Sequence, residues 1–234
     1  MISQSRKRYR LRIVIPGFAT FNIYSYLANK TTALGPVSVA TAVNELENWD
    51  VEVIDENNFR LHGPRNDSGE VDHEFLQKLR PADVVGFYGG LTSTMPRLYA
   101  LARFYKQKGC VTIAGGQHFT DEDVVAEAFD SGIDYLVFGE GEETIKQVLR
   151  ALQNNQGLSG IKGIAYRLEN KIIRTPAQEQ ITDFDSLPMP DFSLVRYAKI
   201  KMYPVGRIRG CGMNCEFCTV KGKPRCASPE RLLE

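Results

Sequence analysis

Five short runs rich in Val, Ile and aromatic residues recur along the chain, at Leu11–Pro16, Val51–Asp55, Asp83–Tyr88, Cys110–Gly115 and Asp134–Gly139. Each is nearly continuous in apolar residues rather than alternating, the pattern of strands covered on both faces. Between them, apolar positions repeat at helical spacing: Val39, Ala42, Val43 and Leu46, then Leu98, Leu101, Ala102 and Tyr105, then Ile145, Val148, Leu149 and Leu152. Each set lays one apolar stripe against a sheet. Parallel neighbours need crossover connections, so strands alternating with such helices predict right-handed βαβ units. The expected fold class is α/β, a doubly wound five-stranded parallel sheet over residues 1–156 in the order 2-1-3-4-5.

After Gly157 the pattern changes. Ile161–Leu168 and Lys171–Thr175, separated by Glu169-Asn170, predict a β-hairpin. Pro176, Pro188, Pro190 and Pro204 follow, so residues 157–202 read as hairpin and proline-rich linker and 203–234 as a new element. The 43% hydrophobic and 24% charged composition is that of an ordinary globular protein and excludes disordered or collagen-like classes. A formal net charge of +1 gives no global reason to expect nucleic acid or an acidic membrane. The longest apolar runs, such as Leu136-Val137-Phe138, are far below the roughly 18–20 residues that span a bilayer. The basic N-terminus from Met1 to Arg8 is followed by no apolar h-region, so a cytoplasmic protein is expected. Four of the five cysteines, Cys211, Cys215, Cys218 and Cys226, crowd near the chain end while Cys110 stands alone. That is no disulfide framework, and ligating or reactive thiols are the better reading.

The strongest chemical signal is Cys211-Gly212-Met213-Asn214-Cys215-Glu216-Phe217-Cys218. Three thiolates on one tight loop can bind three irons of a 4Fe-4S cube and leave the fourth iron open to a small molecule. A zinc site normally pairs two C-x2-C knuckles or adds histidines, but only Cys226 is near and no His follows His118. A redox pair from Cys215 and Cys218 would be expected at a helix N-terminus after an early strand. Between Lys199 and Arg225 lie seven basic residues, Lys199, Lys201, Arg207, Arg209, Lys221, Lys223 and Arg225, against one acid, Glu216. Such cations favour thiolates and an anionic cluster. Stacking aromatics are too few for a nucleic-acid groove, so a solvated basic face is the default expectation. Gly139-Glu140-Gly141-Glu142-Glu143 lacks the third glycine of a dinucleotide fingerprint, and Glu142 and Glu143 are expected to favour their helix N-terminus through its dipole.

The C-x3-C-x-aromatic-C loop resembles that of the radical S-adenosylmethionine superfamily at every position. The resemblance implies that Cys211, Cys215 and Cys218 ligate a 4Fe-4S cluster and that Phe217 lies near the adenine of S-adenosyl-L-methionine. It implies in turn that the reduced cluster cleaves S-adenosyl-L-methionine to a 5'-deoxyadenosyl radical, with an electron donor such as flavodoxin or ferredoxin and a small-molecule substrate. The N-terminal portion, by Leu34-Gly35-Pro36, Val51–Asp55, Gly90-Leu91-Thr92-Ser93, Gly115-Gly116-Gln117-His118 and Gly139–Glu142, resembles the flavodoxin-like cobalamin-binding domain fused ahead of such barrels. Gly90, Leu91, Thr92, Ser93, Gly115, Gly116, His118, Gly139 and Glu140 are then the implied cofactor-binding residues. They fall where ligands of open parallel sheets sit, outside the strands' carboxyl ends.

Many cobalamin domains carry an Asp-x-His-x-x-Gly loop, but Arg60, Val71 and Gly116 stand two residues before His62, His73 and His118. Cobalamin would therefore be held without a protein histidine ligand, or the pocket has lost it and only the fold persists. His118 either lines the pocket or serves a structural hydrogen bond. A radical S-adenosylmethionine barrel needs roughly six βα units by analogy with an eight-unit barrel of about 250 residues, and only its start is expected here. Ser228-Pro229 would open its first helix. The chain therefore reads as the N-terminal part of a longer enzyme, folded to about residue 195 with an exposed, catalytically idle cysteine tail. The alternative is a non-catalytic cobalamin- or ligand-binding module with a vestigial tail.

Overall fold

A computed structural model describes residues 8–19, 23–59, 62–213, 215–218, 220 and 222–233. The basic stretch up to Lys7, Arg60, Asn214, Lys221 and Glu234 lie outside the described residues. In chain order the elements are β1 (Tyr9–Ile15), α1 (Ile23–Ala28), α2 (Leu34–Asn44), β2 (Trp49–Asp55), α3 (His73–Leu79), β3 (Val84–Tyr88), α4 (Met95–Gln107) and β4 (Val111–Gly115). They continue with α5 (Glu122–Asp130), β5 (Tyr135–Val137), α6 (Gly141–Gln153), β6 (Ile164–Leu168), β7 (Lys171–Arg174), β8 (Val195–Arg196), β9 (Ile208–Arg209) and β10 (Arg225–Cys226).

The five apolar runs pair in parallel as β2-β1-β3-β4-β5, the order expected of the doubly wound α/β fold. In that register Ile13 stands opposite Val53 on one side and Gly86 on the other. The helices cover both faces. α2 and α6 bring Val37, Ala40, Val43, Val148 and Leu149 onto Leu11, Ile13, Val51 and Ile113, while α4 and α5 bring Leu98, Leu101, Ala102 and Ala128 onto Val14, Val85, Ala114 and Leu136. Each of the valines, leucines and isoleucines among them, fully enclosed, contributes roughly 1.5–3 kcal/mol, which makes these two layers the main source of stability.

The sheet is larger than the sequence pattern predicts. β6 and β7 form the expected hairpin, and Glu169 and Asn170 take φ of 46° and 64°, the left-handed pair of a type I′ turn. That hairpin joins β5 antiparallel, and β8 joins β2 in parallel, so eight strands make one sheet. The proline-rich stretch thus contributes an edge strand. Proline forbids helix but permits extended chain at a sheet edge, and a two-residue strand is too short for any periodicity to mark. At the chain end the Ser228 hydroxyl accepts from the Arg231 N–H at 3.3 Å, but the turn it opens, Glu230–Leu232, is 3₁₀ rather than α. Among the described residues no helix is long and apolar enough to cross a membrane.

Candidate functional site

A cavity of about 570 Å³ opens at the carboxyl ends of β3, β4 and β5, between the N-terminal ends of α2 and α6. Its floor is apolar: Leu11, Ile13, Ile113, Val137 and Ile145. Gly86 interrupts that floor, and a Cβ there would meet only Ile13 Cγ1 at 3.5 Å and Leu11 Cδ1 at 3.9 Å, so the missing side chain leaves a slot open along the sheet. Leu34, Gly35 and Val39 of α2 form one wall. Phe184, Pro188, Tyr203, Val205 and Ile208 close the other side, all from the stretch read as linker and new element. The sequence pattern missed this floor and this wall. Only one signal pointed to them: a glycine inside the otherwise apolar Val84-Val85-Gly86-Phe87, the mark of a close approach.

Of the implied cofactor-binding residues, Gly115, Gly116, Gly139 and Glu140 line the cavity, as do Leu34, Gly35, Pro36, Gln117, Gly141 and Glu142 from the same sequence pieces. Gly90, Leu91, Thr92, Ser93 and His118 sit in the adjoining loops after β3 and β4, away from its lining. Two of the glycines there answer to the chain itself. A Cβ on Gly116, whose φ is 128°, would lie 2.5 Å from the Gly89 carbonyl, and one on Gly90 would enter the Tyr88 ring. The same two loops are tied by His118 N–H donating to Gly89 O at 3.0 Å and by a 3.2 Å contact between Thr92 Oγ1 and His118 Nδ1. Partial burial lowers the His118 pKa, against a weaker opposing pull from Glu127. His73 lies elsewhere, buried between the Tyr105 hydroxyl at 2.8 Å and Glu56 at 3.1 Å.

Glu142 does more than favour a helix end, and Glu140 shares its partner Arg209. Arg225 donates to both Glu140 oxygens, at 3.0 and 2.9 Å, and Arg209 reaches Glu142 at 3.3 and 2.5 Å and Glu140 at 3.3 Å. Burial alone would raise the Glu140 pKa, but hydrogen bonds from Arg225 and the Ile181 N–H, with the charge of Arg209, hold it below the usual carboxylate range. Arg209 and Arg225 are therefore not part of a solvated basic face. Both turn inward, and each guanidinium lies over the Phe184 ring, at 5.0 and 5.3 Å. The expectation fails for these two, while Lys199, Lys201, Arg207 and Lys223 are exposed, because charge content does not reveal which basic residues find buried acids.

These arginines bracket the cysteine loop. β9 and β10 pair antiparallel, and the Cys211 and Gly212 N–H groups donate to Gly222 O at 3.3 and 2.9 Å, which closes the loop's neck. Inside it the Cys218 N–H donates to Cys215 O at 3.2 Å. Cys211 is exposed, Cys215 and Cys218 are half-buried, and Phe217 is 93% exposed. Tail docking thus extends beyond residue 195, while the outer part of the loop faces solvent. Among the described residues no three His, Cys, Asp or Glu side chains converge as a ready metal site. The donor set itself, three thiols within eight residues, suits a cluster that leaves one iron without a protein ligand.

Residues 24–149 match the B12 binding domain family. The uncharacterized methyltransferase PH0819 of Pyrococcus horikoshii is 33% identical over 214 residues, which cover 86% of this chain and 44% of that protein. The anaerobic magnesium-protoporphyrin IX monomethyl ester cyclase of Synechocystis sp. is 29% identical over 147 residues, 58% of this chain and 28% of the cyclase. The chain therefore spans less than half the length of these relatives. Among solved structures, the cobalamin-dependent S-adenosylmethionine radical enzyme OxsB with aqua-cobalamin bound superimposes with a TM-score of 0.70 at 16% identity, over 97% of this chain and 31% of that one. The radical S-adenosylmethionine methyltransferase TsrM of Kitasatospora setae, with cobalamin and a [4Fe-4S] cluster bound, gives 0.64 at 18%, over 97% and 44%. At such identities the likeness is one of fold. The matched span takes in β2 to β5, α2 and most of α6, and on that match the chain belongs to the B12 binding domain family.

Proposed function

We propose that the chain is the cofactor-binding portion of a cobalamin-dependent radical S-adenosylmethionine enzyme acting by methyl transfer, or another radical transformation, on a small molecule. One observation carries this reading: Ile208 and Arg209, at the neck of the three-cysteine loop, form part of the wall of the glycine-edged cavity. Two cofactor sites on one chain are thereby brought to a common boundary. Residues 1–156 hold the first site, 203–234 begin the second, and 157–202 brace them by giving strands to the sheet and Phe184 and Pro188 to the wall.

Cobalamin suits the cavity on chemical grounds. A slot floored by Ile13, Gly86 and Ile113 takes a flat apolar group such as the benzimidazole tail of the cofactor, and Leu11 and Ile145 keep water from it. On this reading Gly115, Gly116, Gly139 and Glu140 border the bound group, while Gly90, Leu91, Thr92, Ser93 and His118 lie beyond it in the loops after β3 and β4. No histidine among the described residues lines the cavity, which favours attachment without a protein ligand to cobalt. Bound there, cobalamin would supply methyl-transfer chemistry. On the loop, Cys211, Cys215 and Cys218 would hold a 4Fe-4S cluster and Phe217 would stack near S-adenosyl-L-methionine, the pair supplying one-electron chemistry. An electron donor such as flavodoxin or ferredoxin and the reducing cytoplasm, where thiols persist, complete this reading. Turnover is expected to need more than these 234 residues.

A second reading, a non-catalytic cobalamin- or ligand-binding module whose cysteine tail is vestigial, rests on the solvent exposure of Cys211 and Phe217. Anaerobic reconstitution with iron and sulfide separates the two. The first reading predicts about four irons and four sulfides per chain, lost in Cys215→Ala. Retention of zinc in preference to iron, or of no metal, leaves only the module.

A further inference from the structure

We propose that the acidic turn carrying Glu140 and Glu142 is a docking clamp for the neck of the cysteine loop, coupling occupancy of the cavity to the placement of Cys211, Cys215 and Cys218. The proposal takes from the reading above only what fills the cavity; the clamp stands on its own geometry. Arg209 and Arg225 face each other directly across the two-residue ladder of β9 and β10. Like charges in that position repel, and a two-stranded ribbon this short is marginal alone. The neck therefore owes its form to what it docks against.

The acids opposite it are already in place. The Glu140 carboxylate accepts from the Ile181 N–H at 2.7 Å, which fixes it against the stretch carrying Phe184. The Glu142 side chain is 6% exposed and that of Glu140 15%. A fork of Arg225 on Glu140 and of Arg209 on Glu142, largely removed from water, holds harder than a surface pair. Phe184, under both guanidiniums, fixes their separation. Beyond the clamp, Ala227 N–H donates to Arg207 O at 2.8 Å, and the bonds from Cys211 and Gly212 to Gly222 carry that placement to the loop.

The coupling follows from position. Ile208, Arg209 and Ala227 of the docked segment line the cavity beside Glu140, Glu142 and Phe184, so their part of its wall exists only while the neck is docked. A ligand touching the wall must then favour docking, and loss of docking must weaken the ligand by the same factor. Glu140 and Glu142 are positioning residues, acting on the cysteines through Arg209 and Arg225.

The test is backbone hydrogen exchange of the full chain, with and without hydroxocobalamin, on the native protein, Glu140→Gln/Glu142→Gln, Arg225→Glu, and the charge swap Glu140→Arg/Arg225→Glu. The clamp predicts exchange over residues 207–227 at least tenfold faster in the double glutamine variant, with β1–β5 protected as in the native chain, and slower exchange again in the swap. It also predicts that hydroxocobalamin slows exchange of 207–227 in the native chain and that its affinity falls several-fold in the glutamine variant. Unchanged exchange of 207–227 in the glutamine variant, or a swap no better than Arg225→Glu alone, overturns the clamp. A native chain that binds no hydroxocobalamin sinks the functional reading and with it the coupling, while exchange in the cofactor-free protein still decides the clamp.

Discussion

Asp55 closes β2 with its side chain enclosed, accepting from the Asn57 N–H at 3.0 Å and from the Asn57 side-chain amide at 3.2 Å. Burial pushes its pKa up to about 6 in spite of these bonds. In an unfolded chain the group titrates near 3.9. Between those two values the folded state holds more protons than the unfolded one, so this residue's contribution to stability is full below about pH 4 and is lost as pH rises through 6. Asp55→Asn removes the titration and keeps an acceptor for Asn57. Urea midpoints from pH 4 to 7 should show the variant gaining on the native protein as pH rises, by on the order of 2 kcal/mol at 1.36 kcal/mol per pKa unit. Parallel profiles for the two would contradict the assignment. At this scale the sequence marks Gly115, Gly116 and Gly139 as special but not why: the left-handed φ of Gly116 and its approach to the Gly89 carbonyl depend on a loop 27 positions away in the chain, which no local pattern encodes.

Between elements, the most constrained contact is polar. Arg12, in the middle of β1, is fully buried and uses all five of its N–H donors. They reach Glu52 on β2 at 2.8 Å, Gln77 and the Leu76 carbonyl of α3 at 3.0 and 3.1 Å, the Tyr105 hydroxyl of α4 at 3.1 Å and the Arg80 carbonyl at 2.6 Å. Glu52 is shared with Arg80 at 2.8 Å and with Arg196 of β8 at 3.1 Å. One buried pair thus registers two strands, two helices and the edge strand. Arg12→Met should cost about 3–5 kcal/mol, as expected when one partner of a buried pair is removed. Arg12→Met/Glu52→Met should cost less than the sum of the single changes, because both singles lose the same ion pair and Glu52→Met alone leaves the buried Arg12 without its acid. A denaturant double-mutant cycle closing additively would refute the coupling. α2, α4 and α6 were legible because each carries a full apolar stripe. α3 was not: Phe75 and Leu79 are about half exposed, and its clearest mark is the Asp72 carboxylate capping the Phe75 N–H at 2.8 Å. Arg12 and Glu52 break the apolar runs only because each satisfies the other across the sheet.

Across the whole molecule, the parallel sheet, its strand order and the loops at its carboxyl ends follow from alternating periodicities, and so the side of the molecule that carries the site was legible. Its content was not. The cavity is completed by Phe184, Pro188, Tyr203 and Ile208, distant in sequence and drawn in by β8 and by the ion pairs of Arg209 and Arg225. The sharpest single test of the account is a visible-absorption titration of hydroxocobalamin into the native chain and into Gly86→Val, whose added methyl groups would fill the slot between Ile13 and Leu11 while suiting a strand. The account predicts saturation at one cobalamin per chain, an affinity at least tenfold weaker in the variant, and closely similar melting temperatures. A native chain that leaves the spectrum unchanged, or a variant that binds as tightly, would show that this cavity is not where the cofactor goes.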